Sequence, residues 1–127
     1  MPYTGETMET EWIPKLYLVS RGDLPIGVQA CQAIHAMREF VAEHPETEAK
    51  WYRESNHIAF LEAPDKAALE VLIEEASENG ILCSAFYESD LENELTAVAF
   101  CPTLDSRKLL SQLPTALKTS KKKKFCW

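Results

Sequence analysis

The chain is poor in the residues that bind nucleotides and metals by simple motifs. Its 127 residues include four glycines, and none of them builds a G-x-G-x-x-G or P-loop pattern, so a phosphate-cradling glycine loop is excluded. The four cysteines, Cys31, Cys83, Cys101 and Cys126, form no C-x-x-C pair and stand at no zinc-like spacing from a histidine. That argues against a structural zinc or a disulfide framework. Three of them lie in apolar segments, where reduced, buried thiols are the expectation. No apolar run approaches the roughly 20 residues of a membrane span, and the start "MPYTGETMETEW" lacks the basic and apolar regions of a signal peptide. A cytoplasmic location is the default expectation.

Positive charge is scarce except at one end. Five of the thirteen lysines and arginines lie from Lys118 onward, so taking them from the net charge of −7 leaves −12 on the body before them. Such a body repels a polyanion at long range. An RNA partner therefore has to be held by a local cluster or by the "KKKK" run, which also reads as a solvated, flexible end.

The apolar pattern divides the chain into a polar leader (1–14), one domain (15–113) and a basic tail (114–127). "KLYLVS" is a short β-branched and aromatic run, closed by a loop at Gly22, Pro25 and Gly27. From about Pro25 to Glu43, Ile26, Ala30, Ala33, Ile34, Met37 and Val41 recur at helical spacing, and "HPE" closes that helix. A polar stretch through Trp51 and Tyr52 leads to a strand in "NHIAFLEA". Then Asp65 caps and Gly80 stops a helix with apolar residues at Ala68, Leu69, Leu72, Ile73 and Ala76. "ILCSAFYE" and "ELTAVAFC" read as two further strands joined by "SDLEN", and "TLDSRKLLSQL" as a short helix ended by Pro114. The order β-α-β-α-β-β-α predicts an α/β domain with helices packed on a small mixed sheet.

Within "GVQACQAIHAM", Gln29, Gln32 and His35 recur at three-residue steps. At about 100° per residue the apolar face centres near Ile26 and Met37. His35 projects opposite it, Gln32 lies between, and Gln29 approaches the core edge. An amphipathic helix needs a polar face and glutamine is a good helix former, so spacing alone leaves this flank without an assigned role.

The residues also resemble a known family. "YLVSRGDL", a glycine and then "QACQAIHA" are similar to the first strand and helix of the second, archaeal and eukaryotic, type of peptidyl-tRNA hydrolase. "NHIAFLEAPDKAALEVL" and "LTAVAFCP" resemble its second strand with the following helix and its last strand. The likeness extends from about Lys15 to Leu113. It implies a four-stranded mixed sheet flanked by helices, and hydrolysis of the ester between a stranded peptide and the ribose of tRNA, without cofactor or metal. Carried over by position, the family's active-site glutamine falls on Gln32, its aspartate on Asp90 and the threonine opening its last strand on Thr96.

In that scheme Asp90 accepts a proton from water, while Gln32 and Thr96 donate to the developing oxyanion. His35 acts as donor or proton shuttle, and Asp23 matches a supporting motif position. The chain departs from the family where a lysine is replaced by Val28 and where the loop after Asp90 is shortened to "DLENE". Arg21 and Arg38 are the candidate replacement cations for substrate. The expected partner is tRNA carrying a peptidyl or N-blocked aminoacyl group. A homodimer is a further expectation, since the family often pairs. A weakened member that only binds tRNA or a protein through this surface is the alternative.

Overall fold

The computed structural model describes residues 12–118. The "KKKK" run and Cys126 lie outside them. The elements are β1 (Lys15–Arg21), α1 (Ile26–Glu43), α2 (Pro45–Glu54), β2 (His57–Ala63), α3 (Lys66–Glu78), β3 (Cys83–Glu88), a 3₁₀ turn (Ser89–Leu91), β4 (Glu94–Phe100) and α4 (Leu104–Leu109). The four strands form one mixed sheet in the order β2-β1-β4-β3, as the alternating pattern predicts.

The sequence pattern missed α2. Pro45 does end α1, yet it also occupies the first turn of a new helix, where a missing N–H costs nothing. Glu46 and Glu48 in the first turn, Arg53 in the last, and the Lys50–Glu54 ion pair at 3.2 Å suit a helix dipole and its i, i+4 spacing. Only Trp51 of this helix is buried, and its indole N–H donates to the His57 carbonyl at 2.8 Å. One buried residue in ten leaves no apolar period to read.

β1 pairs with β2 in parallel and with β4 antiparallel, and β4 pairs antiparallel with β3. The two crossovers therefore run in opposite directions across the sheet, β1 to β2 and β2 back to β3. Right-handed connections place α1 and α3 on opposite faces. β1 and β4 consequently have both faces covered, and each is buried from its second residue onward. The core is built from Leu16, Val19, Phe40, Leu69, Val98, Phe100 and Leu110, all at most 2% exposed.

Beyond Pro114 the chain continues along the free edge of β2. The Pro114 carbonyl accepts from Glu62 N–H at 3.1 Å, and Ala116 N–H donates to Phe60 at 2.9 Å. Of the described cysteines, Cys101 is buried and Cys83 half-buried, while Cys31 is exposed, and all are free thiols. The expectation of burial thus fails at Cys31, because the face of α1 that meets the sheet lies elsewhere on the helix.

Candidate active site

α1 turns its glutamines inward. Gln29, Gln32, Ala33, Ala36 and Phe40 are its buried residues, whereas Ile26 and Ile34 are 55% and 56% exposed. This corrects the apolar face centred on Ile26 and puts the polar flank against the sheet. The reason is the sheet itself, which presents polar side chains to α1. Ser20 Oγ donates to Gln29 Oε1 at 3.3 Å, Ser84 Oγ to Glu43 Oε1 at 2.6 Å, and Thr96 Oγ1 to Gln32 Oε1 at 2.6 Å. Buried hydroxyls need partners, so the helix face above them is polar. Ala33 and Ala36 on the helix, with Ala97 and Ala99 paired across from Phe86 and Ser84, keep both surfaces low.

Thr96 reaches Gln32 because of a bulge. Ala97 pairs with Phe86 and Leu95 with Tyr87, so Thr96 is an extra residue on β4 with no partner on β3. A bulge bends the strand and re-aims a side chain. Thr96 is fully buried. Its one hydroxyl proton goes to Gln32, and Gln32 Nε2 in turn donates to Glu88 Oε1 at 2.9 Å. The other carboxylate oxygen of Glu88 accepts from the Asp90 backbone N–H at 3.0 Å. The Asp90 N–H, then the Gln32 amide, hold the Glu88 carboxyl below its ordinary pKa.

These groups border a hollow of about 520 Å³ lined by Pro25, Gly27, Val28, Cys31, Gln32, Glu88, Asp90 and Leu91. The first turn of α1 forms one wall, and its cap residue Pro25 brings no side-chain acceptor. First-turn N–H groups have no intrahelical partner and mark the positive end of the helix dipole.

The structure therefore brings Gln32, Thr96 and Asp90 together, and adds Glu88. Sequence reasoning passed over Glu88, although alternation along β3 puts it on the face of Ser84 and Phe86, toward α1. His35 does not line the hollow. Exposed one turn further along α1, it stacks on Phe86 with ring centroids 4.5 Å apart and planes at 9°.

Arg21 is committed elsewhere. Its guanidinium binds both Asp23 oxygens at 3.0 Å, Glu94 Oε1 at 2.7 Å and the Leu95 carbonyl at 3.2 Å. Its side chain is only 11% exposed. Hydrogen bonding to Asp23 raises its pKa, and Arg21 lowers those of Asp23 and Glu94. Both Arg21 and Asp23 thus act on the fold of the loop before α1. Gln29 Nε2 anchors the same loop at the Leu24 carbonyl, 2.7 Å away. Arg38 is exposed on α1 and makes no ion pair among the described residues.

A four-stranded mixed sheet sandwiched by helices, with a fixed amide and two carboxylates beside the apolar lining of a hollow at the start of its first helix, defines a small α/β domain with no metal cluster among the described residues. The peptidyl-tRNA hydrolase PTH2 family model matches residues 14–119, and the chain belongs to that family. Comparison with curated proteins returns no match. Among solved structures, the chain is similar to a protein of unknown function from Agrobacterium tumefaciens strain C58. The two share 14% identity and a TM-score of 0.61, over 82% of this chain and 98% of that one. At that identity the likeness shows the fold.

Proposed function

We propose that the chain hydrolyses the ester joining a peptidyl or N-blocked aminoacyl group to the 3′-terminal ribose of tRNA, and so returns stalled tRNA to translation. Family membership supports the reaction class. The observation that carries the site assignment is the chain of hydrogen bonds from Thr96 through Gln32 to Glu88 at the hollow.

The roles follow from which protons are free. Thr96 has given its only hydroxyl proton to Gln32, so it positions the amide rather than binding the oxyanion. Gln32 uses one amide hydrogen on Glu88 and keeps the other for the carbonyl oxygen of the ester. The first turn of α1 adds positive potential where negative charge develops. Glu88, held ionised, is a poor proton acceptor and serves to fix the amide. Asp90 takes the proton from the attacking water. Water oxygen bonds to the carbonyl carbon, the carbon–oxygen bond to ribose breaks, and the ribose oxygen leaves with the proton that Asp90 returns. Of the two candidate cations, Arg38, exposed beyond His35, is the one free of ion pairs among the described residues to meet a tRNA phosphate.

The carboxylates of Glu88 and Asp90 at the hollow, on a body of net charge −12 before the basic tail, support a second reading, a member that binds without turnover. Acyl release from N-acetylaminoacyl-tRNA separates the two. Turnover by the wild type, falling about 100-fold or more in Asp90→Asn, supports the hydrolase. A wild type that binds tRNA with a steep salt dependence but releases no acyl group supports the binding module.

A further inference from the structure

We infer that His35 is a stacking platform for the 3′-terminal base of the tRNA, so that the last nucleotide lies along α1 with its ester at Gln32, its base on the imidazole and its phosphate toward Arg38. The identity of the ligand rests on the proposed hydrolysis, whereas the platform rests on separate geometry.

α1 and β3 meet in step. Gln32 donates to Glu88 at 2.9 Å, His35 stacks on Phe86, and Glu43 accepts from Ser84 at 2.6 Å. Helix and strand therefore run antiparallel, and His35 stands just outside the hollow, about 4.5 Å further along the helix axis than Gln32. Phe86 and Glu88 are alternate residues of β3, on one face and about 7 Å apart. A base carried by the ribose whose ester sits at Gln32 reaches the His35 ring without leaving this surface.

The imidazole is held flat. Its ring lies on Phe86 with centroids 4.5 Å apart and planes at 9°, a near-parallel contact within the range aromatic pairs favour. His35 is nonetheless exposed, so the face turned away from Phe86 is open to solvent. An immobilised aromatic ring with one free face is what base stacking needs.

Arg38 adds the other half of a nucleotide's chemistry. It lies the same distance beyond His35 along the axis, and its helical neighbours at three and four residues are Ile34, His35, Val41 and Ala42, none of them acidic. With no ion pair among the described residues, its guanidinium is free for a phosphate. A body of net charge −12 before the basic tail repels the backbone of tRNA. Attraction that does not depend on charge, such as stacking, then has to carry much of the hold on the terminal nucleotide. A ring that binds a base acts through its face, and phenylalanine supplies that face without nitrogens to carry a proton.

The test uses the full chain, with N-acetylaminoacyl-tRNA as substrate. The binding probes are 3′-(N-acetylaminoacyl)amido-3′-deoxyadenosine 5′-phosphate, which is not cleaved as an ester, and its counterpart lacking the base. His35→Ala is expected to raise KM and the Kd of the base-bearing probe about fivefold or more, with kcat held within about twofold, the pattern of lost uniform binding. His35→Phe should return both to within about twofold of the wild type, and the base-free probe should bind wild type and His35→Ala alike. Alanine suits an exposed helical position, and thermal unfolding checks that each variant is folded. An unchanged KM in His35→Ala, a loss of kcat shared by the Ala and Phe variants, or equal binding of the two probes by the wild type overturns the inference. Probe binding that depends on His35, without acyl release by the wild type, sinks the hydrolase reading and leaves the platform standing. Acyl release indifferent to His35 does the reverse.

Discussion

The hydroxyl of Thr96 donates to Oε1 of Gln32 at 2.6 Å, across the interface between a bulged strand and the helix above it. This bond decides which way the Gln32 amide points, because an amide whose oxygen is engaged must turn its NH₂ the other way. The NH₂ then meets Glu88 and the hollow.

Thr96→Val removes the proton while keeping the shape. The buried Gln32 oxygen is then left without its donor, at an expected cost of about 1–3 kcal/mol in unfolding free energy. The amide is also free to turn, so acyl release should fall with little change in KM. Thr96→Ser should restore the rate, and urea unfolding beside steady-state kinetics reads both effects. A rate loss equal in Val and Ser variants contradicts the positioning role.

Arg21 should matter to the fold rather than to phosphate binding. Asp23 and Glu94 are each more than 40% exposed, so solvent weakens the ion pairs. The buried bond to the Leu95 carbonyl is the firmer part. Arg21→Ala should cost about 1–3 kcal/mol, and Arg21→Lys should recover only part of it because lysine cannot form the two-pronged contact with Asp23. The salt dependence of tRNA binding should be unchanged in a folded Arg21 variant. A reduced salt slope contradicts this assignment.

Gly22 sits where a Cβ would meet Glu62 Oε2 at 2.8 Å and the Ala63 carbonyl at 3.3 Å. The carboxylate end can swing away, but the carbonyl belongs to a strand that also accepts Gly22 N–H at 2.7 Å. Gly22→Ala is expected to destabilise by about 1 kcal/mol. Adding Glu62→Ala should relieve part of this, and thermal unfolding of the single and double variants measures how much. Full relief would show that the Ala63 carbonyl plays no part.

Acid should loosen this end of the sheet first. Asp23, Glu88 and Glu94 have pKa values lowered from their ordinary 3.8, 4.5 and 4.5. A carboxyl lowered by folding contributes stability that is complete above its ordinary value and is lost as pH falls through the lowered one. Unfolding free energy should therefore be flat in these groups near neutrality and decline below about pH 4.5. In Arg21→Ala the part of that decline due to Asp23 and Glu94 should shrink, as denaturant titrations across this range can show.

The four strands and the longer helices were legible from the sequence because their apolar residues recur with the period of the element. α2 was not, since Trp51 alone of its residues is buried. The inward turn of Gln29 and Gln32 escaped periodicity for a different reason. Helical spacing ranks Ile26 and Ile34 as core by side-chain type, whereas the sheet below offers Ser20 and Thr96, whose hydroxyls need polar partners. That demand comes from another part of the chain and from a bulge, neither of which a helix's own pattern records. Gln32, Thr96 and Asp90 were candidates by resemblance alone; the structure puts Gln32 and Asp90 at one hollow and Thr96 behind Gln32. Glu88 was missed, though the two-residue alternation of β3 already placed it on the α1 side.

The most direct test of the account is single-turnover acyl release from tRNA at saturating enzyme, comparing the wild type with Gln32→Ala, circular dichroism first confirming that the variant is folded. If the amide steadies the oxyanion and fixes the site, the wild type cleaves the ester and the variant is slower by about 100-fold or more. A folded Gln32→Ala variant that releases acyl groups at the wild-type rate would place the chemistry elsewhere on the molecule.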